Sequence, residues 1–126
     1  MTTKTIRGAL ETGLGCAKDW SIGEIRKVTE CPSLQPGTLN VRLDAPHKIR
    51  IDALLLREGR IDNLDEDLVF ERCQLLLGGV SIPAWIVRTS RNFHGDHVLE
   101  IMAEERLRQR YGLKDHDYIY VQVFLE

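Results

Sequence analysis

Apolar and polar residues alternate along several short stretches of the chain, a period typical of β-strands with one buried face. Residues 5–12 roughly alternate, with Ile6 and Leu10 on the same face. Residues 41–43 and 49–51 alternate in the same way. The pattern therefore predicts three short, half-buried strands in the first half of the chain.

The clearest local pattern predicts a β-hairpin. Two apolar runs, residues 69–77 and 80–87, are joined by Gly78-Gly79. Glycine readily adopts the positive φ angles that two-residue hairpin turns require. Residues 118–124 are rich in β-branched and aromatic side chains, which predicts a final strand.

Helical spacing occurs in two places. One predicted helix runs from Ala103 to Tyr111 with Leu107 on the same face, and Gly112 follows as its C-terminal cap. A weaker helical pattern covers residues 22–28. Five or six short strands with one or two helices predict a mainly β fold, a small closed barrel, because closure leaves no unpaired sheet edge.

Composition and charge narrow the class of protein. The 126 residues, 43% of them hydrophobic, fit a single domain over residues 1–126. The 17 Lys and Arg residues nearly balance 19 Asp and Glu, so we expect neither a nucleic-acid nor a membrane partner. No apolar run approaches the roughly 20 residues that span a bilayer. The start of the chain lacks a signal-peptide pattern, and its three cysteines suggest neither a disulfide framework nor a zinc site. A cytoplasmic location is expected.

The first segment with candidate chemistry is the glycine loop of residues 13–18, which directly follows a predicted strand. Backbone N–H groups of such a loop can approach a phosphate, and Lys18 can add a positive charge. A plain tight turn explains the same glycines, so the loop alone leaves both interpretations open.

The second segment is residues 36–43, Pro-Gly-Thr-Leu-Asn-Val-Arg-Leu. It places the Thr38 hydroxyl and the Asn40 amide oxygen two residues apart, on the same side of an extended chain. Mg²⁺ accepts such oxygen ligands and completes its shell with water and phosphate. Thr and Asn also form turns through local hydrogen bonds, which is the alternative explanation.

The third segment combines Glu100 with a predicted helix that carries Arg106 and Arg108. A carboxylate close to arginines can bind or deprotonate a substrate hydroxyl. A solvent-facing carboxylate and a solvated helix face are the alternative.

Together, in this order and spacing, the segments resemble the archaeal-type CTP-dependent riboflavin kinases. The resemblance extends from Ile6 to Val123 and is carried by Gly13-Leu14-Gly15, residues 36–43, Arg88-Thr89, Leu99-Glu100-Ile101-Met102-Ala103 with Leu107-Arg108, and residues 113–117. It implies a small six-stranded cradle-loop barrel with one or two short helices, in agreement with the strand count.

The resemblance also implies a reaction and a set of site residues. Members of the family transfer the γ-phosphate of CTP to the 5′-hydroxyl of riboflavin, giving FMN and CDP. By position, Thr38 and Asn40 would hold Mg²⁺, and Thr89 and Glu100 would contact the flavin. Our own hypothesis adds a catalytic role for Glu100, which would orient or deprotonate the ribityl hydroxyl. The nucleotide would be held by Gly13, Leu14, Gly15, Cys16, Ala17, Lys18, Glu105, Arg106, Leu107 and Arg108. Small-molecule substrates are the expected partners.

One departure from the family pattern supports an alternative function. The family usually shows Gly-x-Gly-Glu-Gly in the glycine loop, whereas this chain has Cys16-Ala17 in place of Glu-Gly. Ala17 adds a Cβ where glycine lets backbone and phosphate approach. The alternative is therefore a non-catalytic flavin- or nucleotide-binding barrel with a degraded phosphate loop.

Overall fold

The structure, a computed structural model, describes residues 2–13, 22–50, 53–56, 67–89 and 95–125. The strands in this part of the chain are β1 (Thr3–Glu11), β2 (Leu39–Leu43), β3 (Leu54–Leu56), β4 (Leu68–Leu77), β5 (Val80–Thr89), β6 (Val98–Ala103) and β7 (Tyr118–Phe124), and the helices are α1 (Ile22–Thr29) and α2 (Leu107–Tyr111). The predicted mainly β fold with short helices is confirmed.

Six of the strands close into an antiparallel barrel. They follow one another in the order β4-β5-β6-β2-β1-β7. The ring closes because β7 pairs with β1 along one edge and with β4 along the other, where Leu75 lies opposite Val121. The short β3 pairs with the beginning of β4, where Leu54 lies opposite Phe70, and is an additional strand outside the six-stranded ring.

Alternating residues of the strands fill two separate apolar clusters. The larger cluster lies inside the barrel, where Leu10, Val41 and Leu99 meet from neighbouring strands. The smaller cluster lies on the outer face of β4, β5 and β6, where Phe70 and Val87 pack with Ile25 of α1. Part of the outer wall is therefore covered by α1, and the polar residues described below lie beside that covered part.

The hairpin and the last strand were predicted correctly. Gly78 and Gly79 have φ angles of 54° and 83°, as a two-residue hairpin turn requires. The predicted weak helix is α1, and Gly112 caps α2 in the left-handed conformation. Neither described helix is long and apolar enough to cross a membrane.

Two predicted elements were wrong in part. The helix begins at Leu107, because Ala103 pairs with Ala84 as the last residue of β6, and sheet pairing overrides the helical spacing. The predicted strand at 49–51 is not a strand at Ile49 or Arg50, and residue 51 lies outside the described residues. Ile49 packs against the barrel core instead, so its apolar character reflects burial at the barrel end.

Candidate functional site

A row of polar side chains crosses the outer wall of the barrel. Asn40 of β2 lies directly opposite Glu11 of β1 on one side and Glu100 of β6 on the other. Their neighbours Leu39 and Val41 point into the barrel core, so all three polar residues face outward. Directly opposite residues have Cβ atoms about 4.5–5.5 Å apart. We call Glu11, Asn40 and Glu100 the polar row.

Thr38 extends the polar row at the start of β2. Its hydroxyl donates a hydrogen bond of 3.1 Å to Oδ1 of Asn40. Asn40 itself is only 4% exposed. The hydroxyl oxygen of Thr38 and the amide oxygen of Asn40, which the sequence analysis proposed as a pair, are thus in contact. Both are uncharged oxygen atoms of the kind that hard metal ions accept as ligands. They fit a Mg²⁺ ion that takes its other ligands from water and phosphate. The assignment of Thr38 and Asn40 as Mg²⁺ ligands stays a prediction. Among the described residues, no three His, Cys, Asp or Glu side chains form a group that could hold a metal ion.

Gly13 lies against the amide of Asn40. A Cβ atom added at Gly13 would be 2.7 Å from Oδ1 and 2.9 Å from Nδ2 of Asn40. Any larger residue here would displace the Asn40 amide, because the chain comes close to the polar row at Gly13. The other predicted loop residues, Leu14, Gly15, Cys16, Ala17 and Lys18, lie outside the described residues.

A cavity of ≈ 320 Å³ lies next to Thr38. Its walls come from the turn before β2 and from the segment between β6 and α2, so it brings Thr38 together with Glu105, Arg106 and Arg108. Leu107 also borders the cavity, but its side chain belongs to the barrel core. Of the four predicted nucleotide residues in this segment, Leu107 therefore offers mainly its backbone.

Arg108 joins this cavity to the end of β1. Its Nη2 donates to the carbonyl oxygen of Glu11 at 3.1 Å and to Oδ1 of Asp115 at 2.7 Å. The Thr12 hydroxyl donates to the other carboxylate oxygen of Asp115. The bond from Thr12 and then the one from Arg108 lower the pKa of Asp115 below its usual value of 3.8. These hydrogen bonds connect the end of β1, which precedes the glycine loop, to Arg108 of α2 and to Asp115.

The predicted flavin residues lie at the edge of the covered part of the wall. Thr89 is the last residue of β5, half-buried, and opposite Leu68. Val87, two residues earlier on the same face, lies opposite Glu100. Strand alternation therefore places Thr89 and Glu100 on the same outer face. Glu100 lies inside β6 rather than at a strand end.

A buried polar cluster underlies the end of β5. Glu71 and His47 form a pair at 2.7 Å, and both are almost fully buried. Arg88, also buried, donates to the backbone oxygen of His47 and to the carbonyl of Asp96 at 3.3 Å. Burial lowers the pKa of Arg88. The cluster holds in place the residue that precedes Thr89.

Sequence reasoning missed part of this arrangement. Glu11, Thr12 and the His47–Glu71 pair were not singled out, because their partners are distant along the chain. Asp115 was noticed only as part of the segment 113–117. The available signal for Glu11 and Thr12 was their position directly before the glycine loop.

The fold and the site define a class of six-stranded antiparallel barrels with a polar site on the outer wall. The model of the CTP-dependent riboflavin kinase family, described as "Domain of unknown function DUF120", matches residues 18–123. The chain therefore belongs to this family. A riboflavin kinase of Pyrobaculum islandicum is 32% identical over 96 residues, which cover 72% of this chain and 44% of the relative. The match thus spans less than half the length of that relative.

Proposed function

We propose that the protein is a riboflavin kinase that transfers the γ-phosphate of CTP to the 5′-hydroxyl of riboflavin, with Mg²⁺. Family membership and the name of the Pyrobaculum relative support the reaction class. The observation that carries the proposal is the meeting of Thr38, Asn40, Gly13 and Glu100 on one outer face.

Phosphoryl transfer needs in-line positioning and neutralisation of charge more than covalent help from the protein. Thr38 and Asn40 would hold Mg²⁺, which when bound offsets the negative charge of the phosphates. The backbone at Gly13, the first residue of the glycine loop, lies close to the same place. Arg108, which lines the adjacent cavity, would supply a positive charge to the nucleotide phosphates.

Glu100 is the residue that would act on the acceptor. Its carboxylate would accept a hydrogen bond from the 5′-hydroxyl of riboflavin and orient it toward the γ-phosphorus. As the new O–P bond forms and the bond to the CDP oxygen breaks, the hydroxyl proton would pass to Glu100 or to solvent. Thr89, on the same face, would bind the flavin through its hydroxyl.

The first experiment is a turnover assay. The purified protein is incubated with riboflavin, Mg²⁺ and CTP, ATP, GTP or UTP separately, and FMN is measured by chromatography. FMN from CTP alone would support the whole proposal, and FMN from another nucleotide would replace CTP as the donor. Flavin binding without FMN from any donor would contradict kinase activity and favour the binding barrel suggested by Cys16-Ala17.

The role of Glu100 is tested by Glu100→Gln. We expect a fall in kcat of roughly 100-fold or more, as for loss of a general base, with little change in riboflavin affinity. Glu24→Gln, in the exposed ion pair with Lys27 on α1, is the control and should keep wild-type turnover. An unchanged kcat for Glu100→Gln would contradict the assignment.

A further inference from the structure

The two segments assigned to the nucleotide come from distant parts of the chain. The glycine loop begins at Gly13, two residues after the end of β1, whereas the other segment, residues 105–108, covers the two residues before α2 and the first two residues of α2. Arg108 crosses between them, because Nη2 bonds both the Glu11 carbonyl and the Asp115 carboxylate. Thr12 bonds the second oxygen of the same carboxylate. Asp115 therefore contacts both Arg108 and Thr12, the residue directly before the glycine loop.

The turn that carries Asp115 is itself fixed to β1. The backbone of Leu10 donates to Asp117 O at 2.8 Å, and His116 donates back to Leu10 O at 2.8 Å. The Asp117 carboxylate accepts the backbone N–H of Lys114 at 2.9 Å and so closes the turn. Asp115 thus has a defined position next to the end of β1 before any ligand binds.

We propose that Asp115 is a positioning residue for the nucleotide, acting through Arg108. Both bonds that Arg108 makes with the described residues use Nη2, and its guanidinium fork also carries N–H donors on Nε and Nη1 that can bind phosphate oxygens. Guanidinium groups bind phosphate best when their planar fork is oriented in advance. The Asp115 carboxylate provides that orientation and also binds Thr12, directly before the glycine loop. This inference rests on the proposed function, because it assumes that the cavity beside Arg108 takes a nucleotide.

The exposure of the pair separates a positioning role from a structural one. The side chains of Arg108 and Asp115 are 38% and 40% exposed, and exposed ion pairs add little to stability. Loss of the Asp115 carboxylate should therefore weaken nucleotide binding without unfolding the barrel. The Arg7–Asp44 pair lies between residues outside the site, and its side chains are 53% and 41% exposed, so it offers a control with a carboxylate of similar exposure.

The test is a double-mutant cycle on Asp115→Ala and Arg108→Gln, with CTP binding measured by calorimetry. Asp115→Ala should weaken CTP binding about tenfold, the effect of losing one charge-assisted hydrogen bond. Its urea midpoint and riboflavin affinity should match those of Asp44→Ala. In the Arg108→Gln background, Asp115→Ala should weaken binding no further, because its effect passes through Arg108. Asp115→Asn, which keeps the shape of the side chain, replaces Asp115→Ala if that variant does not fold, with a smaller but measurable loss expected.

The outcomes distinguish this inference from the proposed function. Additive losses in the cycle, or wild-type CTP affinity in the Asp115 variants, would overturn the positioning role alone. Normal coupling in a protein that makes no FMN would support the positioning role and contradict the kinase. A wild-type protein that binds no nucleotide would overturn both.

Discussion

Replacing Gly13 by alanine perturbs the polar row by a distance that the structure defines. The new Cβ would lie 2.7 Å from Oδ1 of Asn40, about 0.7 Å short of ordinary contact, which begins at 3.4 Å. The Asn40 amide is buried and hydrogen-bonded to Thr38, so it is displaced together with that bond. Gly13 does not have a positive φ, so alanine introduces this clash without the added strain of a left-handed backbone.

A displacement of this size matters for the proposed reaction far more than for folding. A misplacement of about 1 Å costs on the order of 100-fold in rate, so we expect Gly13→Ala to lower kcat/KM roughly 10- to 100-fold. Gly13 is exposed at the end of β1, so the urea midpoint should change little. The assay is FMN formation at several Mg²⁺ concentrations, and the Mg²⁺ requirement should increase.

A matched glycine provides the control. A Cβ added at Gly23 in α1 meets nothing within 4 Å, so Gly23→Ala should keep wild-type activity and fold slightly more stably. If Gly13→Ala shows wild-type kcat/KM and an unchanged Mg²⁺ requirement, Asn40 does not take part in the reaction, and the reasoning from the close approach is refuted.

Two further predictions concern stability. Glu71→Ala leaves His47 buried without its carboxylate partner and removes a nearby negative charge from Arg88, and should lower the free energy of unfolding by about 3–5 kcal/mol in urea titrations; Asp44→Asn, in an exposed pair, should leave the midpoint unchanged. The lowered pKa of Asp115 means that its contribution to stability, which is small because the pair with Arg108 is exposed, is complete above its usual value of 3.8 and is lost as pH falls through the lower folded value. As the pH is lowered from 5 to below 3.8, the free energy of unfolding should therefore fall less for Asp115→Asn than for the wild type. If urea titrations show the same pH dependence for both proteins, the lowered pKa of Asp115 is contradicted.

Local sequence patterns were sufficient to predict those strands and helices whose formation depends mainly on residues close together in the sequence. The hairpin of β4 and β5 was predictable because alternation and Gly78-Gly79 define both strands and their turn. β3 was missed because Leu54–Leu56 has no alternation, and its pairing with β4 is decided by packing under α1. The early start predicted for α2 failed for a related reason, since Ala103 is bound into the sheet by a strand about 20 residues away in sequence.

The residues of the candidate site likewise fall into two groups: those predictable from local spacing and those placed by the register of the strands. Thr38 and Asn40 were predictable because two residues of an extended chain share a face, but their neighbours across the sheet come from β1 and β6. Register is what brings Glu11 and Glu100 beside Asn40, and register is specified by burial: a slip of one residue would turn Asn40 inward and Leu39 and Val41 outward. The apolar residues of β2 inside the barrel therefore hold the polar row on the outer wall, and the geometry of the proposed site depends on their burial.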